Sequence, residues 1–397
     1  MDRNLKFLFD INETCAEKLK RFLPSARYRI LFLLSVINLL FFGLLVNQTL
    51  AQEKPTTHAM KESAKIGKGD VGYIAGSFIL APIPIKNPSI GTGLALAGAY
   101  LFKTDKDSDT SFLGVAGFRT DNGSEGIGLA GSISWNSNRW SLGVIAGVVD
   151  VTYDFYVPGT VGRTVSLQQD GTMINLKGSY GVTDHFSAGL EFRYLETSIA
   201  FSSPLGTPAR DINLETIMIG PTLEWDTRDD TIYPTTGSHV FFRSLHGFTV
   251  NGLLDREYNK TVIKYDRYTP LFERSVIATR LVACEASKRT PFFDLCSVGG
   301  TDSFRGFPFG QLLNESLLSA QLEYRGRFNK RFGYVVFAGV GGVAANFASF
   351  NGSAFESAAG LGLRYRLSKK TPLDFSFDIA TNSLGETTSY ITIGQRF

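Results

Sequence analysis

Residues 317–328 read LLSAQLEYRGRF, and neighbouring positions in this stretch alternate in polarity. Successive side chains of a β-strand point to opposite faces, so an extended chain sorts these residues into two sets. One set is mainly apolar and the other is polar or charged: Leu318, Ala320, Leu322, Tyr324 and Phe328 against Ser319, Gln321, Glu323, Arg325 and Arg327. The stretch therefore predicts a β-strand with one apolar face and one charged face.

The same alternation continues through most of residues 71–397, as in GIGLAGSISW at 126–135. Breaks rich in Gly, Asp, Asn and Pro separate the segments, and no convincing 3.6-residue apolar stripe is present. We count sixteen segments, with the first at about 71–80, the sixth at about 172–183 and the last at about 387–397. The chain is predicted to be all-β.

Two all-β architectures fit such segments. A soluble sandwich or propeller buries its apolar faces, whereas a transmembrane barrel turns them to lipid and keeps a polar interior. The segments exceed the roughly 5 to 6 residues common in soluble strands and suit a tilted membrane crossing of about 9 to 11. The polar faces carry glycines and opposite charges, and the last segment ends on Phe397. We predict a single transmembrane antiparallel β-barrel of about 16 strands, closed because an open edge in hydrocarbon leaves amides unpaired.

The N-terminal region has the three parts of a secretory signal. A basic stretch at 18–29 precedes an apolar run of 17 residues at 30–46, and small residues follow at Thr49 and Ala51. This order predicts a signal peptide at 1–51, cleaved after Ala51. A short membrane anchor is the alternative, since a run of about 17 residues is at the lower limit for spanning a bilayer.

The rest of the chain is predicted to contain one domain. Residues 52–70 are polar and poor in aromatics, which predicts a periplasmic leader, and residues 71–397 form the predicted outer-membrane barrel. No later stretch is apolar enough for a membrane helix. Export predicts residence in the outer membrane of a Gram-negative bacterium, in contact with its lipids and inserted by its assembly machinery.

Composition and motif content argue against nucleic-acid binding and catalysis. The net charge is +3 and basic residues are scattered, without the clustered stripe that phosphate binding needs. Of the four histidines, His58 falls in the leader, while His239 and His246 fall on opposite faces of one segment. We find no histidine–cysteine metal spacing, phosphate loop or nucleophile elbow. We expect no enzyme activity, metal or cofactor.

Two cysteines, Cys284 and Cys296, lie twelve positions apart in the predicted barrel. An exported protein permits a disulfide between them. Two reduced thiols are the alternative.

Several short motifs occur in order along the chain. LEWDTRDDTIYPTTGSHVFF at 223–242 contains a D-x-R-D…Y-P-x-x-G pattern, and GGTDSFRGFPFG at 299–310 contains R-G-F. GLGLRYRL lies at 360–367 and ITIGQRF ends the chain. With PIPIKNPSIGTGLALAGAY at 82–100, these motifs resemble the outer-membrane assembly and translocation superfamily of the BamA and TamA type, also called the bacterial surface antigen family. The resemblance covers about 71–397.

The resemblance assigns roles to the motif residues. In the family the long sixth external loop, here about 287–315, folds back into the lumen and its Arg-Gly-Phe tip docks on the inner wall. The corresponding residues here are Arg305, Gly306 and Phe307. A buried guanidinium needs carboxylate partners. The family commonly supplies an aspartate on the following strand, but Gly339 occupies that position here. Two inward-facing carboxylates on nearby strands are our candidate partners, Glu323 first and Asp378 second.

The other motifs are interpreted as structural or as signals. The Asp-Arg-Asp motif is expected to cap and cross-link a periplasmic turn whose geometry Pro and Gly set. Its residues are Asp226, Arg228, Asp229, Tyr233, Pro234 and Gly237. The terminal segment resembles the family's C-terminal sorting signal through Ile393, Gly394 and Phe397.

The resemblance also implies a function. Between the predicted signal and the barrel there is too little chain for a POTRA domain, the periplasmic module of larger relatives, so we expect a member without one. Such a protein would move protein or lipid into or across the outer membrane, alone or with a separate periplasmic or lipoprotein partner. A porin-like or structural barrel is the alternative, and a soluble secreted β-protein is a third possibility.

Overall fold

The computed structural model describes residues 77–156, 164–201, 212–231, 233–251, 257–300, 302–367 and 374–396. Within them the chain forms eighteen strands. In order these are β1 (Ser77–Asn87), β2 (Gly91–Phe102), β3 (Ser111–Thr120), β4 (Glu125–Trp135), β5 (Trp140–Tyr156), β6 (Thr164–Gly181), β7 (Phe186–Phe201), β8 (Ile212–Asp226), β9 (Gly237–Asn251), β10 (Glu257–Phe272), β11 (Ser275–Ala286), β12 (Cys296–Ser297), β13 (Leu313–Asn314), β14 (Ser316–Arg327), β15 (Phe332–Ala344), β16 (Phe355–Arg366), β17 (Asp374–Asn382) and β18 (Thr387–Ile393).

Sixteen of these strands form one closed barrel. Each strand is antiparallel to its neighbours in chain order, β11 pairs with β14, and β1 meets β18 to close the ring. The two remaining strands, β12 and β13, form a small hairpin-like pair of their own. The predicted all-β class and the strand number are both confirmed.

The two faces of the barrel wall differ in polarity. Residues that pair across a ladder share a face, so the register sorts the side chains into an outward and an inward set. Outward residues are apolar and exposed, such as Leu322 at 52% and Leu361 at 61%, whereas the inward Glu323 is fully buried. A soluble protein would bury such residues. The outward apolar band is that of a transmembrane barrel, in which pairing between neighbouring strands satisfies most backbone amides and carbonyls.

No helix in the described part of the chain combines the length and apolarity needed to cross a bilayer.

The alternating strand directions define two ends of the barrel. We call the end at which β1 begins and β18 finishes the proximal end, and the other the distal end. The turn between β8 and β9 lies at the proximal end. The long segment 287–315, between β11 and β14, starts from the distal end. It contains a 3-10 turn at Phe292–Asp294 and the β12–β13 pair.

Two predicted segments were misplaced. The first described strand runs over Ser77–Asn87 rather than about 71–80, and so includes the prolines at 82 and 84. Prolines are tolerated in a sheet where their nitrogens face an unpaired edge. The sixth strand, Thr164–Gly181, begins earlier than predicted because its polar distal residues also pair with β5. The predicted signal at 1–51, the leader at 52–70 with His58, and residues 71–76 lie outside the described residues.

Candidate functional site

Arg305 lies inside the barrel between two carboxylates. Its Nη1 donates to Asp378 Oδ2 at 2.9 Å, and its Nη2 donates to Glu323 Oε2. All three side chains are 0–1% exposed. The guanidinium carbon also lies 3.5 Å from the centre of the Phe337 ring. The segment that starts from the distal end of β11 is thus attached to inward-facing side chains of β14, β15 and β17.

Each carboxylate also binds a second arginine. Glu323 accepts from Arg325 Nε at 2.5 Å, and Asp378 accepts from Arg364 Nη1 at 2.5 Å. Three guanidiniums therefore share two carboxylates, all of them nearly inaccessible to water. Removing either carboxylate leaves a buried guanidinium without its partner, which is costly in a low-dielectric interior.

Gly306 lets the backbone approach the wall. Its φ is +112°, a left-handed value that favours glycine, and a Cβ there would lie 2.6 Å from the Ala358 Cβ. The Gly306 N–H donates to the Tyr390 hydroxyl at 2.9 Å, and Asn382 Nδ2 donates to the Gly306 carbonyl at 2.9 Å. The motif backbone is therefore held by side chains of β17 and β18, next to the barrel seam.

Phe304 and Phe307 fill the space on either side of the arginine. Both are 2% exposed and their ring centres lie 6.0 Å apart. A Cβ at Gly339 would lie 2.8 Å from a Phe304 ring carbon. Gly339 therefore makes room for Phe304, while Glu323 and Asp378 bind the guanidinium.

Asp302 accepts backbone hydrogen bonds from residues on both sides of it in the segment. Its Oδ1 accepts from the Gly299 N–H at 2.9 Å and from the Phe304 N–H at 3.0 Å. The residue is fully buried, and this burial raises the pKa of the Asp302 carboxyl above the ordinary aspartate value.

A disulfide ties the segment to the wall at its distal end. Cys284 of β11 and Cys296 of β12 are bonded, with a Cα–Cα distance of 5.9 Å. Further along, the Phe309 N–H donates to Ser89 Oγ at 3.0 Å, in the turn after β1. The segment thus contacts both sides of the barrel.

The seam between β1 and β18 is the weakest ladder of the barrel. It has one register pair, Lys86 with Ile391, whereas β1 pairs with β2 at every position of Ser77–Asn87. Pro82 and Pro84 lie in the part of β1 that has no register pair with β18. Pro82 and Pro84 are two residues apart, so their backbone nitrogens point to the same edge of β1. The edge of β1 that faces β2 has a register pair at every position. The two missing N–H donors therefore belong to the seam edge.

The β8–β9 turn does more than close a hairpin. Arg228 Nε donates to Asp226 Oδ1 at 2.9 Å, and Asp229 Oδ1 accepts from the backbone of Thr235 at 2.8 Å. Pro234 precedes a left-handed Gly237 with φ +97°.

Tyr233 extends from this turn towards the far wall. Its ring centre lies 4.8 Å from the Arg327 guanidinium carbon, 5.0 Å from that of Arg366 and 6.0 Å from that of Arg325. The turn thus reaches β14 and β16 across the proximal mouth. The sequence identified the turn but not these contacts, because cation–π pairs between distant strands need the closed ring.

One group of metal-ligand types was not evident from the sequence. Ligand atoms of Glu224, Asp226 and His239 lie within 4.8 Å of one another. Glu224 also accepts from Lys177 Nζ at 2.8 Å and lies 2.8 Å from His239 Nε2, while Asp226 binds Arg228. These ion pairs already occupy the carboxylates, so we describe the group as an ion-pair network of the proximal end.

The terminal motif continues β18 past its last strand residue, Ile393. Gly394 has φ +95°, and its N–H donates to the Asp374 carbonyl at 2.7 Å. The Arg396 guanidinium lies 4.8 Å from the centre of the Tyr390 ring. Phe397 lies outside the described residues.

The fold and this interior together define a class: a transmembrane antiparallel β-barrel in which a long loop folds inside and binds the inner wall, and in which the strands that close the ring pair weakly. Comparison with known proteins gives the family. Residues 120–397 match the model of the Omp85 superfamily domain, and the chain belongs to this superfamily of outer-membrane barrels. No curated protein sequence matches it significantly.

Solved structures show the same fold at low identity. BamA from Haemophilus ducreyi lacking POTRA domains 1–3 is similar with a TM-score of 0.55 and 16% identity over 89% of this chain and 81% of that one. CdiB from Acinetobacter baumannii is similar with a TM-score of 0.52 and 12% identity, over 80% of this chain and 59% of that one. CdiB from Escherichia coli is similar with a TM-score of 0.53 and 12% identity, over 84% of this chain and 69% of that one.

Proposed function

We propose that this barrel moves protein or lipid into or across the outer membrane by opening the seam between β1 and β18. Superfamily membership supports the general role. The observation that carries the proposal is the single register pair of the seam, set against a ladder of eleven pairs on the other side of β1. The other ladders of the barrel have seven or more register pairs each, so the seam is the place where the wall can part at the lowest cost.

The buried arginine cluster gives the opening a control element. Gly306 is bound by Tyr390 of β18 and Asn382 of β17, so the segment that carries Arg305 holds the two strands next to the seam. Release of the segment removes these contacts from one side of the seam. We infer that its position regulates how readily the seam opens.

Location and partners follow from the same proposal. The chain is exported by a cleaved signal peptide, and Ile393, Gly394 and Phe397 act as the sorting signal by which assembly machinery recognises it. Outer-membrane lipids surround the outward apolar band. A periplasmic protein or lipoprotein delivers cargo where the barrel does not collect it unaided.

A seam disulfide tests the proposal. Lys86→Cys with Ile391→Cys places thiols at the one seam register pair, and Lys86→Cys with Thr92→Cys places them at a register pair inside the complete β1–β2 ladder. We expect a strain lacking the protein to have a more permeable outer membrane, and the readout is rescue of that defect. The seam disulfide should abolish rescue and reductant should restore it, while the β1–β2 disulfide leaves rescue intact. Full rescue by the oxidised seam variant would contradict the proposal.

A porin-like or structural barrel is the alternative function. It predicts a large steady conductance in planar bilayers that does not change when Arg305 is replaced by alanine. The filled interior around Arg305 favours the seam over such a pore.

A further inference from the structure

The first part of the folded-back segment forms a short closed loop at the distal end of the barrel. The disulfide between Cys284 and Cys296 joins β11 to the end of this loop, so the two ends of the loop stay together. At its start the Ser287 N–H donates to the Asn259 carbonyl of β10 at 2.9 Å. We call residues 287–295 the distal arm. Its base is thus tied to β10 and β11.

The distal arm extends from this base to strands on another part of the ring. Phe292 and Phe293 pack against a buried cluster in the distal parts of β5, β6 and β7, whose members are Tyr153, Leu167 and Ile199. The Phe292 ring centre lies 4.9 Å from that of Phe155. Because β8, β9 and β10 lie between β7 and β11 in the ring, the arm passes these three strands on the inside of the distal end.

Asp294 of the distal arm binds two cations of the barrel wall. Its Oδ1 accepts from Lys260 Nζ of β10 at 3.0 Å, and its Oδ2 accepts from Arg193 Nη2 of β7. The Asp294 side chain is 7% exposed, whereas those of Lys260 and Arg193 are 10% and 14% exposed. One nearly buried carboxylate of the arm therefore joins two strands that are not neighbours.

The charges around Asp294 are unequal in number. Among the described residues, Asp294 is the one carboxylate within ion-pair distance of Lys260 or Arg193. Glu191 attracts Arg193 from further away, but its Oε1 already accepts from Arg243 Nη1 at 3.0 Å. Neutralising Asp294 therefore leaves two cations there without an ion-pair partner, which is costly in a low-dielectric interior. Neutralising Lys260 leaves one balanced pair, so the position of the arm depends on Asp294 more than on either cation.

The inner arm, which we define as residues 302–311, is held by other strands. Its contacts through Arg305, Gly306 and Phe309 are with β14 to β18 and with the turn after β1. The β12–β13 pair closes the base of the inner arm, so the inner arm can leave the wall without the distal arm. Within the described residues, none of the three groups of the Asp294 ion pairs bonds to the inner arm.

The two arms meet at one aromatic contact near the distal cluster. The Phe309 ring centre lies 6.3 Å from that of Tyr153, with the rings edge to face. Such a contact contributes about 0.5–1.5 kcal/mol beyond its buried area. The buried ion pairs of each arm are stronger constraints than this contact, so each arm is positioned mainly by its own charges.

We propose that Asp294 is a positioning residue that holds the distal arm across the distal end of the lumen, and that this arm stays in place when the inner arm is released. The inference rests on the proposed function, in which release of Arg305 lets the seam part. With the distal arm in place, cargo leaves the lumen sideways through the seam into the membrane, and not through the distal end.

Amide hydrogen exchange of the full chain in nanodiscs, read by mass spectrometry, tests this inference. The Thr290, Asp294 and Leu295 N–H groups donate to backbone carbonyls of the distal arm and report its state. The Phe304 and Gly306 N–H groups donate to side chains and report the inner arm. Peptides from the two arms are followed in the same sample, and the protection of β10 and β11 shows that each variant is folded.

The two arms should respond to different substitutions. Asp294→Asn should raise exchange in the distal arm at least about tenfold and leave the inner arm unchanged, because two cations lose their carboxylate. Arg305→Ala should raise exchange in the inner arm alone. Lys260→Gln, which keeps Asp294 paired with Arg193, should change distal-arm exchange less than about twofold. Asp154→Asn, an exposed aspartate on the outward face of the same end, is the matched control and should change neither arm.

Two kinds of result would overturn the inference. Faster exchange of both arms in Arg305→Ala would show that they move as one unit, so that release of Arg305 also opens the distal end. Unchanged distal-arm exchange in Asp294→Asn, or an equal rise in Lys260→Gln, would show that the charge of Asp294 does not hold the arm. Because neither transport nor seam opening is measured, both kinds of result leave the seam proposal standing and remove only the fixed distal arm.

Discussion

At the scale of single residues, the arrangement depends on one guanidinium placed where water cannot reach it. Arg305 is stable there because Glu323 and Asp378 accept its hydrogen bonds and Phe337 covers its face. A planar fork with several donors can serve both carboxylates, and a lysine ammonium cannot do so with the same geometry. The cluster therefore fixes the segment by shape as well as by charge.

Replacing Arg305 with lysine or alanine should release the segment. Loss of Arg305 removes two charge-assisted hydrogen bonds, each worth about 1.5–3 kcal/mol, while Arg325 and Arg364 still bind the two carboxylates. We expect a spin label at Gln311, further along the same segment, to change from immobile to mobile. Arg331→Ala, in an exposed turn where the arginine stacks on Tyr365 and donates to its hydroxyl, should leave that label unchanged. An equally immobile label in both variants would show that Arg305 does not hold the segment.

The Asp302 carboxyl should make docking of the segment pH-dependent. Burial raises its pKa, so the docked state holds the proton more tightly than the released state. The resulting stabilisation is present below the ordinary value of 3.8 and is lost as pH rises through the raised pKa. The same label should therefore gain mobility with rising pH. Asp302→Asn keeps an oxygen for the Gly299 and Phe304 amides and should remove the trend; a trend that persists would point to another group.

The sequence revealed part of this site and not the rest. Strand alternation placed Glu323 and Asp378 on inward faces, so both were available as candidate partners for Arg305. Tyr390, Asn382 and Phe337 gave no such signal, because their roles arise only when the folded-back segment meets strands far away in sequence. The sequence also gave no reason for a glycine at 339, which lies against the Phe304 ring in the folded chain.

At the scale of elements, the prolines of β1 explain why its pairing with β18 is weak. Prolines at 82 and 84 remove donors from the edge that faces β18. Pro82→Val with Pro84→Val returns two amides and a strand-favouring side chain. We expect the variant to unfold at a higher temperature and to rescue the permeability defect less well. Ile83→Val, which restores no donor, is the control, and unchanged activity in the double variant would separate proline content from opening.

The β8–β9 turn should partly block the proximal opening of the lumen. Tyr233→Ala removes three cation–π contacts, each worth about 0.5–1 kcal/mol where water can enter, and detaches the turn from β14 and β16. We expect a higher single-channel conductance in planar bilayers with little change in folding. Tyr365→Ala, on the outward face, is the matched control. Equal conductances would place the main constriction elsewhere.

The strand boundaries show which ends the alternation of polarity can predict and which it cannot. Most segments were placed well because their two faces differ strongly in polarity and the membrane fixes their length. The first strand was shifted because prolines normally end a strand, and only the closed ring shows that these two face the seam. The early part of β6 was missed because its residues alternate weakly and form a strand through pairing with β5.

At the scale of the whole molecule, the two halves of the barrel interior differ in polarity and in packing. Among the described residues, the segment 287–315 packs against inward residues of β10, β11 and β14, whereas the inward Ile145 of β5 is 50% exposed. Alternation predicted a polar lumen throughout, since it separates faces without showing which inward side chains another segment covers. The contrast between the two halves appears only in the assembled ring.

Amide hydrogen exchange of the protein in nanodiscs tests the central claim most directly. If the seam is the weak ladder, the amides of β1 and β18 should exchange at least about tenfold faster than those of β10 and β11, which pair along their full lengths. Pro82→Val with Pro84→Val should narrow the difference. Equal protection of all four strands would contradict the account, because a uniformly stable ring has no place to open.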